Sequence, residues 1–329
     1  HGFIVDKDGK KMSKSGGNAL SVDELVKDHG AEVTRWWVGS LAFENDIKVD
    51  PSFFKIAGDS YRKIRNTIRF LLSNLFDFDI TTLSTEDIKK QLSEIPSTSI
   101  DGYALGKTWE LHTQVTHAFE EFQFRKAHSL LYNFCNDTLS AFYCTAVKDR
   151  LYCDSINSKR RKQSQLTSYY MTHVLCRLLA PFLPHTTEEA LQSLTGDKNA
   201  SPFLIEALLV NYPLNENWNT IIETRTNVSK ALEESKSMGI ENTLDAGVIL
   251  PKKNVLSEFI DDLNDILGVS RVSLSDSESN IVIQDLRNEP RCDRSWKRDT
   301  TVTLREDGCW LSDRDFEAIQ HANKETLCQ

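Results

Sequence analysis

The strongest constraint in this sequence is an apolar period of three and four residues that sets in at Pro51 and persists over most of the chain. In the segment running to about Phe76, Tyr61, Ile64, Ile68, Leu71 and Leu75 fall on one side of a helix. Pro51 suits its first turn, where the missing N–H has no partner to lose. Further helical stretches are expected over residues 103–122, 125–152 and 164–179. Pro181 and Pro184 interrupt the pattern, and Thr186 with Glu189 reads as a capping box opening a helix that ends near Gly196. Such lengths predict an antiparallel bundle of roughly four or five helices, so the chain is read as mainly α.

The flanks differ from the bundle. Phe3, Ile4 and Val5 read as a short strand, Asp6 to Gly9 as a tight turn, and residues 10–18 as a polar, glycine-bearing loop. Ser21 and Glu24 then form a capping box for a helix running towards Gly30, and another helix starts near Arg35, Trp36 and Trp37. After Trp218 a helix to Met238 leads into a small α+β module, with strands over 246–250, 269–274 and 280–286 and a helix over 255–267. Residues 290–329 are charged and weakly periodic. The linear division is therefore 1–50, 51–217, 218–288 and 289–329.

Composition excludes some function classes. Hydrophobic residues make up 40% and charged residues 26%, as in ordinary globular proteins, and no apolar run approaches a membrane span. Seven scattered cysteines, with no two in a CxxC pair, argue against a disulfide framework and for a reducing cytoplasm. A net charge of -9 excludes a protein that coats nucleic acid non-specifically, but not a local basic face that docks a folded RNA. There is neither a signal nor a transit peptide, and an opening in a strand-like run without an initiator Met leads us to expect a further portion before His1.

The string Lys11-Met12-Ser13-Lys14-Ser15 matches the KMSKS signature of class I aminoacyl-tRNA synthetases. Its setting resembles the end of their catalytic Rossmann domain: a strand before it, Gly17 and Asn18 after it, then a helix ending at Gly30 and the run Ala31-Glu32-Val33-Thr34-Arg35-Trp36. The resemblance implies contact with ATP through Lys11, Met12, Ser13, Lys14 and Ser15. Negative charge builds on pyrophosphate as it leaves the α-phosphate, and two lysines three positions apart on a mobile loop can close over it. By analogy Lys14 stabilises the leaving group and Lys11 supports it. With no His/Asp arrangement nearby, Ser13 and Ser15 are read as shaping the loop rather than as nucleophiles.

The helical part extends the likeness. Arg62, Arg65 and Arg69 share a helical face away from the apolar stripe, and the string from Arg62 through Phe70 to Phe78 closely resembles isoleucyl-tRNA synthetases. So do Leu131 to Tyr143 with Lys148 to Tyr152, Leu178 to Pro184 with Thr186 to Glu189, and Arg225 to Glu234. The resemblance implies an anticodon-binding bundle in which Arg62, Arg65 and Arg69 face RNA or a neighbouring domain. Lys159, Arg160, Arg161 and Lys162 form the most basic run and are read as a phosphate patch or a plain solvated surface. Lys148 and Arg150 are read equally as partners of Asp149 within their own helix.

In bacterial-type members the tail carries a zinc knuckle of two CxxC pairs. Here the matching positions are Cys292 with Ser295 and Cys309 with Ser312, so each pair has lost its second thiol. Zinc is not expected, because serine is a poor substitute ligand and nothing in the spacing favours His321 or Cys328 instead. The knuckle's fold is expected to persist through packing of Trp296 and Trp310.

Taken together, the resemblance implies an isoleucine–tRNA ligase that uses ATP with Mg²⁺, takes isoleucine and tRNA(Ile), resides in the cytoplasm, is monomeric when full length and has no membrane partner. No HIGH motif is present, so the chain by itself is expected to be inactive in adenylate formation. Two alternatives stay open: a synthetase for valine, leucine or methionine, and a non-catalytic tRNA-binding module.

Overall fold

Parallel pairing of two very short strands opens the computed structural model, which describes residues 1–6, 8–13, 15, 21–80 and 83–326, with backbone alone at 238 and 321–326. Strand β1 (Ile4–Val5) lies beside β2 (Ile47–Lys48), Ile4 opposite Ile47. Between them run α1 (Val22–His29) and α2 (Ala31–Gly39). The Ser21 hydroxyl caps α1 by accepting from the Glu24 N–H at 3.4 Å, and Gly30 at φ 86° turns the chain directly into α2. Helix α3 (Pro51–Ser73) starts as the sequence indicates, with Asp50 accepting from Ser52 N–H at 2.8 Å and Pro51 in the first turn. It buries Phe54, Ala57, Ile64, Ile68 and Leu71 along one stripe.

Helix α4 (Thr85–Ser93), which the sequence reading did not single out, opens on a full capping box between Ser84 and Asp87. There follow α5 (Ile100–Glu120), α6 (Phe124–Asn133), a π-helical stretch (Phe134–Tyr143) and α7 (Cys144–Cys153). The expected single helix over 125–152 is thus helical throughout but widened in the middle. Helix α8 (Lys159–Leu179) begins at Lys159, earlier than expected. Helix α9 (Pro184–Thr195) also begins early, with Pro184 in its first turn and Gly196 ending it at φ 72°. The expected capping box at Thr186 and Glu189 is not formed. The Thr186 hydroxyl meets the Tyr61 hydroxyl at 2.9 Å, and Glu32 of α2 accepts instead from the His185 and Thr186 N–H groups at 3.3 and 3.2 Å.

The remainder comprises α10 (Trp218–Ser235), β3 (Ala246–Pro251), α11 (Asn254–Glu258), α12 (Ile260–Leu267), β4 (Arg271–Ser275) and β5 (Val282–Asp285). Strand β3 is central, parallel to β4 and antiparallel to β5. The parallel pair needs the crossover that α11 and α12 supply. A hairpin of β6 (Thr303–Leu304) and β7 (Trp310–Leu311) precedes α13 (Asp313–Thr326). The tail's core differs from the one expected. Cys292, Val302 and Leu311 are buried with Phe316 and Ile319 against them, whereas Trp296 and Trp310 are 57% and 46% exposed.

Two compact units interleave along the chain. One comprises residues 1–76, 108–140 and 168–211 and is centred on Trp36, Phe54, Ile64, Leu131 and Phe182. The other comprises 77–107, 141–167 and 212–329, with Tyr103, Trp218, Phe259 and the β3 side chains in its core. Among the described residues no helix is long and apolar enough to cross a membrane.

Candidate functional site

The loop expected to meet ATP grows out of β1. Asp6 organises its base, accepting at Oδ1 from the Asp8 and Lys10 N–H groups at 3.0 and 2.9 Å. Gly9 at φ 82° reverses the chain, the Met12 N–H donates to Ile4 O at 2.9 Å, and Val5 bridges Lys11. The returning segment is thereby held beside β1 up to Met12. Lys11 is exposed, its Nζ 4.1 Å from the centre of the Phe3 ring, so that ring steadies a charge that water still reaches. Ser13 and Ser15 follow with their hydroxyls 3.4 Å apart. Lys14, to which the resemblance gives the leading role, lies outside the described residues, as do Gly16, Gly17 and Asn18.

On α3 the arginines occupy the exposed face, away from Ile64, Ile68 and Leu71. Arg62 pairs with Asp59 one turn back. Arg65 and Arg69 border a cleft of about 360 Å³ between α3 and α9, together with Ser73, Thr186, Glu189 and Ser193. Two guanidinium groups on the rim of an open, hydroxyl-bearing groove suit a phosphate backbone in both charge and hydrogen-bonding type.

The basic run opening α8 divides. Lys159 and Lys162 are exposed. Arg160, however, grips Asp154 with two nitrogens, Nε to Oδ2 at 2.6 Å and Nη2 to Oδ1 at 2.8 Å. Arg161 is buried, with Nη2 2.9 Å from Asp77 Oδ2 and Nε donating to Leu151 O at 3.1 Å. Of the four residues read as a phosphate patch or a solvated run, Lys159 and Lys162 are exposed, whereas Arg160 and Arg161 are engaged by carboxylates of the fold, which corrects the reading for those two. Positive charge in the first turn opposes the helix dipole, and the carboxylates of Asp154 and Asp77 offset it.

A third constellation lies within the second unit and was missed. Arg150, 1% exposed, reaches Asp262 and Asp265 of α12 at 2.9 and 2.8 Å and Asp101 of α5 at 3.5 Å. Asp101 also accepts from the Tyr143 and Ser164 hydroxyls at 2.7 and 2.9 Å. Burial pushes the Asp101 carboxyl up, opposed by Arg150, and the three carboxylates outweigh burial to hold the Arg150 guanidinium above its ordinary range. Asp149 points elsewhere, to Arg314 and Lys297 at 2.6 and 3.0 Å. Burial disfavours its charge, but those two cations prevail and hold it well below the usual carboxylate range. Arg150 thus does not pair within its own helix. The available signal was a charged triplet on a helix otherwise rich in buried residues.

In the tail, Cys292, Ser295 and Ser312 all turn towards Asp315, while Cys309 is exposed. Among the described residues no group of three or more His, Cys, Asp or Glu side chains could hold a metal. Two hydroxyls standing where zinc requires thiolates do not fit that ion.

Residues 1–50 match the family model described as tRNA synthetases class I (I, L, M and V), and residues 101–250 match the anticodon-binding domain of tRNA ligase. The chain is 35% identical to the isoleucine–tRNA ligase of Natranaerobius thermophilus, over 94% of this chain and 36% of that protein. It is 34% identical to the isoleucine–tRNA ligase of Thermotoga maritima, over 93% of this chain and 35% of that protein. The chain thus spans about a third of the length of these curated relatives. A solved ternary complex of Agrobacterium radiobacter LeuRS with tRNA and LeuAMS aligns at 16% identity and a TM-score of 0.42, over 86% of this chain and 33% of that one. With the class I synthetase model matched at residues 1–50, the anticodon-binding model at 101–250 and isoleucine–tRNA ligases 34–35% identical along more than nine-tenths of the sequence, the chain belongs to the isoleucyl-tRNA synthetase family of class I aminoacyl-tRNA synthetases.

Proposed function

We propose that this chain is the part of an isoleucine–tRNA ligase that supplies the ATP-contacting loop and the RNA-gripping helices. The observation that carries the reading is alignment with an isoleucine–tRNA ligase along 94% of the chain, with the KMSKS string inside the segment that matches the class I synthetase model. The complete enzyme would join isoleucine to ATP as an adenylate, release pyrophosphate and pass the aminoacyl group to tRNA(Ile). In that reaction the loop held by Asp6 and Gly9 carries Lys11 and Lys14 over the departing pyrophosphate, where ammonium groups neutralise charge that exists only as the bond breaks. Mg²⁺ accompanies the ATP phosphates and adds to that neutralisation. Residues 1–50 serve the catalytic domain, 51–217 the anticodon-binding bundle, and 218–288 and 289–329 the module and tail that follow. Arg62, Arg65, Arg69, Lys159 and Lys162 are the proposed phosphate contacts. The proposed setting is the cytoplasm, and the proposed full-length form is a monomer.

The test uses the complete gene product. Isoleucine-dependent ATP–pyrophosphate exchange should slow by ~10²–10³ in Lys14→Ala, the usual loss for one transition-state charge contact. Unchanged exchange removes the role of Lys14. Exchange with valine, leucine or methionine in preference to isoleucine would reassign the amino acid.

A further inference from the structure

The four positions spaced as two metal-binding pairs, 292, 295, 309 and 312, are no longer chemically equivalent. Three of them converge on a single atom. The Cys292 thiol donates to Asp315 Oδ2 at 2.9 Å, the Ser295 hydroxyl donates to the same oxygen at 2.7 Å, and the Ser312 hydroxyl at 2.8 Å. The fourth, Cys309, faces solvent from the hairpin. Asp315 is fully buried, and its other oxygen accepts from Arg314 Nη2 at 3.1 Å.

We infer that the Asp315 carboxylate occupies the position of the ion in this knuckle and closes it without metal. The polarity of the centre is inverted. A cation collects lone pairs from thiolates, whereas here one anionic oxygen collects protons from a thiol and two hydroxyls. A zinc ion at the same point would face two poor ligands and need a proton removed from Cys292. The loops around the centre are tied by backbone and side-chain bonds that would otherwise depend on the ion. The Cys292 N–H donates to Lys297 O and the Trp296 N–H to Cys292 O, both at 2.9 Å, closing a turn that holds Trp296 at φ 62°. That left-handed conformation is unfavourable for a bulky residue and persists only where its surroundings enforce it. The Asp293 N–H donates to Trp310 O at 2.8 Å, and the Trp310 N–H donates to the Asp293 carboxylate at 2.7 Å, which joins the turn to β7. From the hub, Arg314 reaches Asp149 through both terminal nitrogens, so the same short segment that fills the centre also fastens the tail to α7.

The full chain, purified without added metal, provides the test. Zinc should be below about a tenth of an equivalent by elemental analysis, since the ligand set is short, and a strong chelator should leave the thermal midpoint unmoved. Asp315→Ala should lower that midpoint by about 5 °C or more, because the buried Cys292 and Ser312 donors and the half-buried Ser295 lose their acceptor. Amide-exchange protection should be lost over 290–320. Ser295→Cys/Ser312→Cys/Asp315→Ala, which restores four thiols and empties the centre, should bind one zinc and recover the midpoint when zinc is added. One zinc per wild-type chain, with a chelator-induced fall in the midpoint, would overturn the inference. So would an Asp315→Ala chain as stable and as protected as the wild type, or a triple variant that zinc does not rescue.

Discussion

At the scale of single residues, burial controls two histidines that the sequence does not mark. The ring of His128 lies 3.7 Å from that of Trp36 and edge-on to Phe182, and the surroundings push its pKa down to about 4, burial being the main cause. His173, in the buried part of α8, is likewise lowered to about 4, by burial and then by the charge of Arg177. Among the described residues neither His128 Nε2 nor His173 Nδ1 has a hydrogen-bond partner, so each ring would carry one buried N–H without an acceptor when protonated, and the backbone bond of His128 with Trp36 offsets burial only in part. Both folded values lie below the ordinary 6.5 of the unfolded chain, so between pH 6.5 and 4 the unfolded state binds the extra protons. Stability should therefore fall as the pH is lowered through that window, by at most ~3 kcal/mol per histidine. Urea unfolding at pH 7 and pH 4.5 should show His128→Phe to be less acid-sensitive than the wild type; an equal slope would remove His128 as a source. Charge itself is legible in a sequence, but its partner is not. Arg160 and Arg161 looked like a solvated patch because Asp154, Asp265 and Asp77 come to them only through the fold.

Elements were legible where local chemistry decides them. The Pro51 start of α3, the Ser21 cap of α1 and the left-handed Gly196 end of α9 all follow from residues within one turn. The start of α9 did not, because its orphan N–H groups are met by Glu32, distant in sequence. Tertiary supply of the cap overrode the local signal at Thr186. The same limit hid the role of α12, whose Asp262 accepts from the Ile100 N–H at the start of α5 at 2.7 Å while also pairing with Arg150. Arg150 is thus the common cation for acidic groups on α5 and α12. Arg150→Met, which keeps bulk and deletes charge, leaves Asp101, Asp262 and Asp265 facing one another in a buried site. It should cost about 3–5 kcal/mol at neutral pH, since removing one member of a buried ionic cluster strands the others. Equilibrium denaturation reads this directly, and a loss below ~1 kcal/mol would mean that water or Arg160 and Lys297 take over the neutralisation.

Over the whole molecule, the family was readable because a five-residue signature, a bundle and a paired-position tail stand in fixed order, and order survives at 35% identity. What was not readable is which basic residues remain available to a polyanion, since the fold consumes some and presents others. Arg62, Arg65 and Arg69 stay exposed on α3, as do Lys159 and Lys162 at the start of α8, while Arg160 and Arg161 are spent internally. This division makes a prediction that separates binding from folding. In the complete synthetase, Arg62→Gln/Arg65→Gln/Arg69→Gln should weaken tRNA binding and reduce the dependence of log affinity on log salt by about two, as expected when two or three phosphate contacts are lost. Unfolding of that variant should be nearly unchanged, because its side chains leave no buried partner behind. Arg160→Gln should do the opposite, lowering stability through the stranded Asp154 while leaving the salt slope as it was. An unaltered slope in the α3 variant would transfer the RNA-facing role away from that helix, and a reduced slope in Arg160→Gln would mean that its carboxylate partners yield to phosphate.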